Sequence, residues 1–215
     1  MAQSVISIDV VADVICPWCF LGKRRLDKAL AQLPDVKAQV IQRPFFLDPT
    51  IPPEGLDRHQ YLADKFGEER LATIHKPLEE MGAKDGVPYR FDKITRTPNT
   101  LDAHRLIRWA QQAEKQPAVV EALFVAYWRD GRDVGDHPTL VAIATECGMD
   151  GGEVARLLET DLDKAEVLTE AQRAVEIGVT GVPTFILGQR YGIAGAQEVS
   201  VLVDALKKIA AQVPA

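Results

Sequence analysis

Cysteine is scarce, with three residues in 215. So small and odd a number excludes a disulfide framework of the kind that staples small secreted domains. No stretch is long and apolar enough to span a membrane. The opening "MAQSVISIDV" lacks the basic and apolar segments of a secretory signal. These absences lead to the expectation of a cytoplasmic protein with no membrane partner. Positive charge is not in excess: 25 Lys and Arg face 31 Asp and Glu, a net of -6. No basic stripe interleaves with aromatics, so nucleic acid is not an expected partner. Histidine is rare as well. His59, His75, His104 and His137 show no spacing that pairs with cysteine to hold zinc, so neither a metal nor a bound cofactor is expected. There is no internal repeat and no low-complexity run.

What is present is an ordinary globular balance, 47% hydrophobic and 26% charged, enough for one large domain or two interleaved ones. "VISIDVVADV" alternates Ile6, Ile8 and Val10 with Ser7 and Asp9, the period of a strand. Cys19, Leu26, Leu30 and Leu33 then fall at helical spacing up to Pro34, with Lys23, Arg24, Arg25 and Lys28 mostly on a solvated face. "VKAQVIQRPFFL" alternates again. From Asp48 to about Asp163 the chain reads as helical nearly throughout, with Pro77 breaking one helix. Thr97 is expected as an N-cap before Pro98, and Asp136 as another. "VPYRF" is the one strand candidate in this region. Cys147, on an apolar helix, is expected to be a buried, inert thiol. The end reads as a helix stopped by Gly178, a hairpin "VPTFILG"–"QRYGIAG", and a helix with Val199, Leu202, Val203, Leu206 and Ile209 on one face.

Strand–helix–strand, a helical block, then helix–hairpin–helix is the order of an α/β thioredoxin fold with a large all-helical insertion. Residues 1–50 and 164–215 would form the thioredoxin-like domain and 51–163 the insertion.

The chemistry concentrates in "DVICPWCFLGKRRL", where Cys16 and Cys19 straddle the junction of strand and helix. A free thiol ionises near pH ~8.5, and a helix N-terminus lowers that value. Cys16 sits where the helix end acts, and Cys19 lies one turn further in and more shielded. One sulfur attacks a disulfide and the other resolves the mixed disulfide. Pro17 suits the first turn. Trp18 is either a contact surface for substrate or packing for a loop. Val182-Pro183 begins an interior strand, where proline is awkward unless the bond is cis and the backbone of Val182 is left for a substrate chain. Asp13 would either relay a proton to Cys19 or bind loop N–H groups, with the second favoured.

These stretches in order, with "RPFFLDPTIPPEGLDR", "YLADKFG", "RTPNTLDAHRL" and "GVTGVPTFIL", resemble the DsbA-like branch of the thioredoxin superfamily, and within it the FrnE-like dithiol–disulfide isomerases. The resemblance implies a thiol–disulfide oxidoreductase or isomerase with Cys16 attacking, Cys19 resolving and Pro183 cis. Asn99, in the "P-N-T" stretch, would position a ligand or cap a helix. The implied partner is a disulfide- or dithiol-containing protein or a small thiol such as glutathione, acting on a monomer or homodimer. The same branch holds the 2-hydroxychromene-2-carboxylate isomerases and kappa-class glutathione transferases, which give the alternative of glutathione-dependent isomerisation or transfer. Those enzymes carry a serine at the position of Cys16, and an acidic residue where this chain has Gln197. A non-enzymatic binding protein that retains the fold is the third reading.

Overall fold

The computed structural model describes residues 5–212. The first four residues of "MAQSVISIDV" and the last three of the chain lie outside them.

β1 (Ile6–Ala12) is the second strand of a four-stranded sheet ordered β2-β1-β5-β6. It pairs parallel with β2 (Ala38–Pro44), with Ile8 opposite Val40. It pairs antiparallel with β5 (Thr184–Leu187), with Val10 opposite Phe185. β6 (Tyr191–Ala194) completes the sheet, joined to β5 by a tight turn with Gly188 and Gln189 both at positive φ. Both faces of β1 are covered. Ile6, Ile8 and Val10 point into the main core with Leu26 and Ala29 of α1 (Pro17–Ala31) and Leu202 and Leu206 of α10 (Val199–Ala210). Val11 points the other way, onto Ala174 of α9 (Lys164–Glu176) and Val179. This is the arrangement expected of the alternating strand.

Between the two halves of the sheet lie α2 (Arg58–Phe66), α3 (Glu68–Ile74), α4 (Lys76–Asp85), α5 (Leu101–Gln112), α6 (Gln116–Trp128), α7 (His137–Glu146) and α8 (Gly151–Leu158). The break at Pro77 holds: the proline sits in the first turn of α4. Asp136 caps α7 as expected, its carboxylate accepting from Thr139 N.

Four expectations need correction. "VPYRF" is not a strand. Val87, Tyr89 and Phe91 alternate inward, but Tyr89 stacks on Phe91, Phe91 meets Trp128 edge-on, and Arg90 N–H donates to Trp128 O at the end of α6. The strands of this region are the two-residue β3 (Leu56–Asp57) and β4 (Arg96–Thr97), paired antiparallel. Thr97 therefore lies in β4, and α5 starts later, at Leu101, after Thr100. Cys147 is only half-buried, as the last cap of α7; burial pushes its thiol up. Arg25 is buried, 3% exposed, because Asp85 meets its guanidinium at 2.7 Å and Ala196 O accepts a further bond. Burial works against the Asp85 carboxylate, yet Lys28 and Arg25 hold it below its usual range.

One margin of the sheet is sealed locally. Gln116 accepts from Gln42 N at 2.9 Å and donates back to Gln42 O, as a neighbouring strand would.

His137 clasps two helices. Nε2 meets Asp102 at 2.9 Å and Nδ1 meets Glu159 at 3.3 Å. Burial lowers its pKa, but the two carboxylates outweigh burial and leave it raised. A raised histidine contributes stability below its unfolded pKa and loses it as pH climbs through the folded value. His137→Gln should therefore destabilise by under about 1 kcal/mol, most at about pH 5.5 and least at about pH 8.5, by urea unfolding. A gap that is constant over this range would exclude the charged clasp.

Candidate active site

The sulfurs sit where β1 hands over to α1. Asp13 O accepts from Cys16 N at 3.1 Å, a turn that ends the strand. Cys16 is the N-cap, with extended backbone (φ -91°, ψ 115°) and no capping side chain, and Pro17 occupies the first turn. The first turn holds no acidic residue, so the positive end of the helix is left facing the Cys16 sulfur. Cys16 O accepts from Cys19 N at 3.0 Å, which puts the second sulfur one turn on. Both are free thiols. Cys16 is 2% exposed and Cys19 1%, so the expected difference in shielding is absent. Trp18, between them in sequence, is 40% exposed and faces solvent.

The Val182-Pro183 bond is cis, and Cys16 Sγ lies 3.7 Å from Val182 O, to which it donates. The contact brings together residues 166 apart in sequence. It depends on Gly22. A Cβ at that position would lie 2.7 Å from Pro183 Cγ and 3.2 Å from Phe185 Cζ. Glycine inside a helix is ordinarily unfavourable; here it lets α1 press onto the proline loop.

Two aromatic residues from the helical region hold the turn from the other side. Trp128 Nε1 donates to Val14 O at 3.0 Å, and Tyr89 OH donates to Pro17 O. Tyr89 lies edge-on to Phe20 and Trp128. Burial, then the two thiols, push the Tyr89 phenol above its usual range, so it stays a donor. Sequence reading missed Gly22, Tyr89 and Trp128. A glycine inside an amphipathic helix was the one available signal.

Burial, followed by the hydrogen bond and charge of Cys16, raises the Cys19 thiol well above its usual value; a backbone hydrogen bond at Asp13 lowers it and the Asp13 charge raises it. The Asp13 side chain binds loop N–H groups, as favoured from the sequence: Oδ2 accepts from Leu47 N at 2.8 Å and Oδ1 from Ile15 N at 3.4 Å.

Asn99 is tied into the scaffold. Its Oδ1 accepts from Leu101 N at 3.0 Å and its Nδ2 donates to Ile51 O at 2.7 Å, which pins the start of α5. Gln197 likewise donates to Ala194 O, within its own turn. Among the described residues no cluster of His, Cys, Asp and Glu could hold a metal ion. No helix among them is long and apolar enough to cross a membrane. Two cavities, of about 610 and 560 Å³, flank α9 and are not lined by either sulfur's residue.

A family model for the DSBA-like thioredoxin domain matches residues 7–207. YwbO, an uncharacterized protein of Bacillus subtilis, is 30% identical over 187 residues, 85% of this chain and 87% of its own. A structure of a "probable DsbA oxidoreductase" from Streptomyces coelicolor superposes with a TM-score of 0.90 at 30% identity, over 98% of this chain and 92% of that one. A 2-hydroxychromene-2-carboxylate isomerase superposes with a TM-score of 0.71 at 19% identity, over 96% and 97% of the two chains, a likeness of fold.

Gly22→Ala tests the contact between α1 and the proline loop. Alanine should stabilise an ordinary helix site by about 1 kcal/mol. Here it should destabilise by about 1–3 kcal/mol in urea unfolding, through overpacking against Pro183. A stabilised variant would show that the loop yields freely.

Proposed function

The chain belongs to the DSBA-like thioredoxin domain family, and on that premise we propose that it is a thiol–disulfide oxidoreductase or isomerase whose working pair is Cys16 and Cys19. The observation that carries the reading is the placement of Cys16: an N-cap sulfur with no capping competitor, at a helix end without acidic residues, facing Val182 O. A helix N-terminus in general favours negative charge placed on it, and the thiolate is the form in which a sulfur attacks.

The Cys16 thiolate attacks one sulfur of a substrate disulfide. That S–S bond breaks, the other substrate sulfur leaves with the electron pair, and a mixed disulfide remains on Cys16. Cys19 then attacks Cys16 Sγ, closes the intramolecular disulfide and releases the second substrate sulfur. The substrate has gained two electrons and the pair has lost them. The reverse sequence oxidises a dithiol. Trp18 offers the exposed apolar surface beside the sulfurs that a disulfide-bearing chain would meet. Pro17 and Pro183 shape the floor, and an extended segment would lie along Val182. The partner proposed is a disulfide- or dithiol-containing protein or a small thiol, glutathione among them, in a reducing compartment such as the cytoplasm.

Glutathione-dependent isomerisation or transfer is the weaker reading. The likeness to the isomerase is one of fold. Cysteine stands at position 16, and Gln197 is engaged with Ala194 O.

In an insulin-disulfide reduction assay, Cys16→Ser should fall to background. Cys19→Ser should lose turnover and accumulate mixed disulfides visible by non-reducing mass spectrometry. Full turnover by both variants would overturn the dithiol reading.

A further inference from the structure

A buried carboxylate and a buried imidazole meet directly behind the dithiol turn. Asp13 and His104 are each 1% exposed in their side chains, with His104 Nε2 3.6 Å from Asp13 Oδ1. His104 belongs to α5, in the helical region, whereas Asp13 precedes Cys16 by three residues. The same Nε2 lies 3.1 Å from Phe45 O; a carbonyl only accepts, so Nε2 carries a hydrogen. Phe46 packs edge-on against the ring at 5.3 Å. The other ring nitrogen, Nδ1, is buried with no partner. His104 also lines a cavity of about 10 Å³ bordered by Arg108 and Glu170, the other charged groups on that side.

The Asp13 side chain accepts two backbone N–H bonds, and His104 is the one basic side chain within 4 Å of it among the described residues. Asp13 belongs to the dithiol turn itself, its own carbonyl accepting from Cys16 N at 3.1 Å, so a charge on its side chain lies close to the sulfurs. We propose that His104 is a positioning residue of the dithiol site: its ring, fixed between Phe45 O and the Asp13 carboxylate, screens Cys19 from the Asp13 charge and so sets how fast Cys19 closes on Cys16. The helical region thereby tunes the thiol chemistry through one side chain. The Asp13 charge opposes ionisation of Cys19, in keeping with this. The Nε2–H that donates to Phe45 O lies beside the carboxylate, 3.6 Å from Oδ1, so the ring turns its positive edge toward the Asp13 side chain.

The inference rests on the dithiol reading above. A test that separates the two uses dithiobisnitrobenzoate on the reduced protein, in a Cys147→Ser background. Cys16 takes one thionitrobenzoate and expels the first equivalent. Cys19 then attacks Cys16 Sγ, the bond to the reagent breaks, the second thionitrobenzoate leaves as its thiolate, and the Cys19 proton passes to buffer. His104→Phe, which keeps a ring beside Phe46 but removes the N–H, should slow the second release about threefold or more at about pH 7, because fewer Cys19 thiolates form and their greater nucleophilicity compensates only in part. Asp13→Asn should accelerate it, and Asp13→Asn with His104→Phe should be no slower than Asp13→Asn alone. A purely structural role would lower the melting temperature of His104→Phe and leave its release rate at that of the parent, which would overturn the proposal. So would slower release by Asp13→Asn, since the carboxylate would then be assisting Cys19; that measurement decides the matter even if His104→Phe does not fold. If the parent protein releases a single equivalent, the failure belongs to the dithiol reading itself.

Discussion

The close approach of α1 to the Val182-Pro183 loop is the constraint on which the site depends. Cys16 contributes its position at a helix end, and Val182 contributes a backbone carbonyl, but 166 residues of chain separate them. Only where the helix carries no Cβ at position 22 can Pro183 and Phe185 come close enough to seat the loop over the sulfur. β1 and β5 then fix the relative height of the two, since Val11 is paired with Thr184 across the central ladder. Without that contact the dithiol turn would face open solvent, and the proline loop would have no floor.

The rest of the molecule restrains this junction from behind. Trp128 and Tyr89 bind the carbonyls of Val14, just past β1, and of Pro17, in the first turn of α1. Arg25 spans α1, Asp85 at the end of α4, and the approach to α10. The helical region is thus bonded into the dithiol turn at several points, and does more than lie over it.

Much of this was legible in the sequence. The alternating run at Ile6–Val10, the helix from Pro17 and the hairpin after Pro183 set out the order of elements along the chain, because each carries a strong local period or turn signal. The two cysteines marked the candidate site through their spacing together with the strand–helix junction they straddle. What escaped had no local signature. Tyr89 alternates with Val87 and Phe91 as a strand residue would, and only the tertiary stacking with Trp128 makes it a loop residue. Arg25 sits in a basic run that reads as solvated until Asp85, 60 residues away, is brought beside it. His104 and Asp13 are each ordinary in sequence, and their meeting is a product of how α5 crosses the end of β2. Thr97 looked like a cap because proline follows it, but pairing with Leu56 claimed it for a strand.

The amide of Gln116 has a consequence beyond its two bonds. A sheet margin with free N–H and C=O groups is a template on which foreign chains can polymerise. By filling the place of a missing strand at Gln42, one side chain blunts that template on the β2 side, while at the opposite margin Tyr191, Gly192 and Ala194 stay exposed. For a protein proposed to meet disulfide-bearing chains, this polarity matters. It leaves the molecule one-sided toward backbone adhesion, so that repeated encounters with sticky substrates are less able to link copies of it end to end.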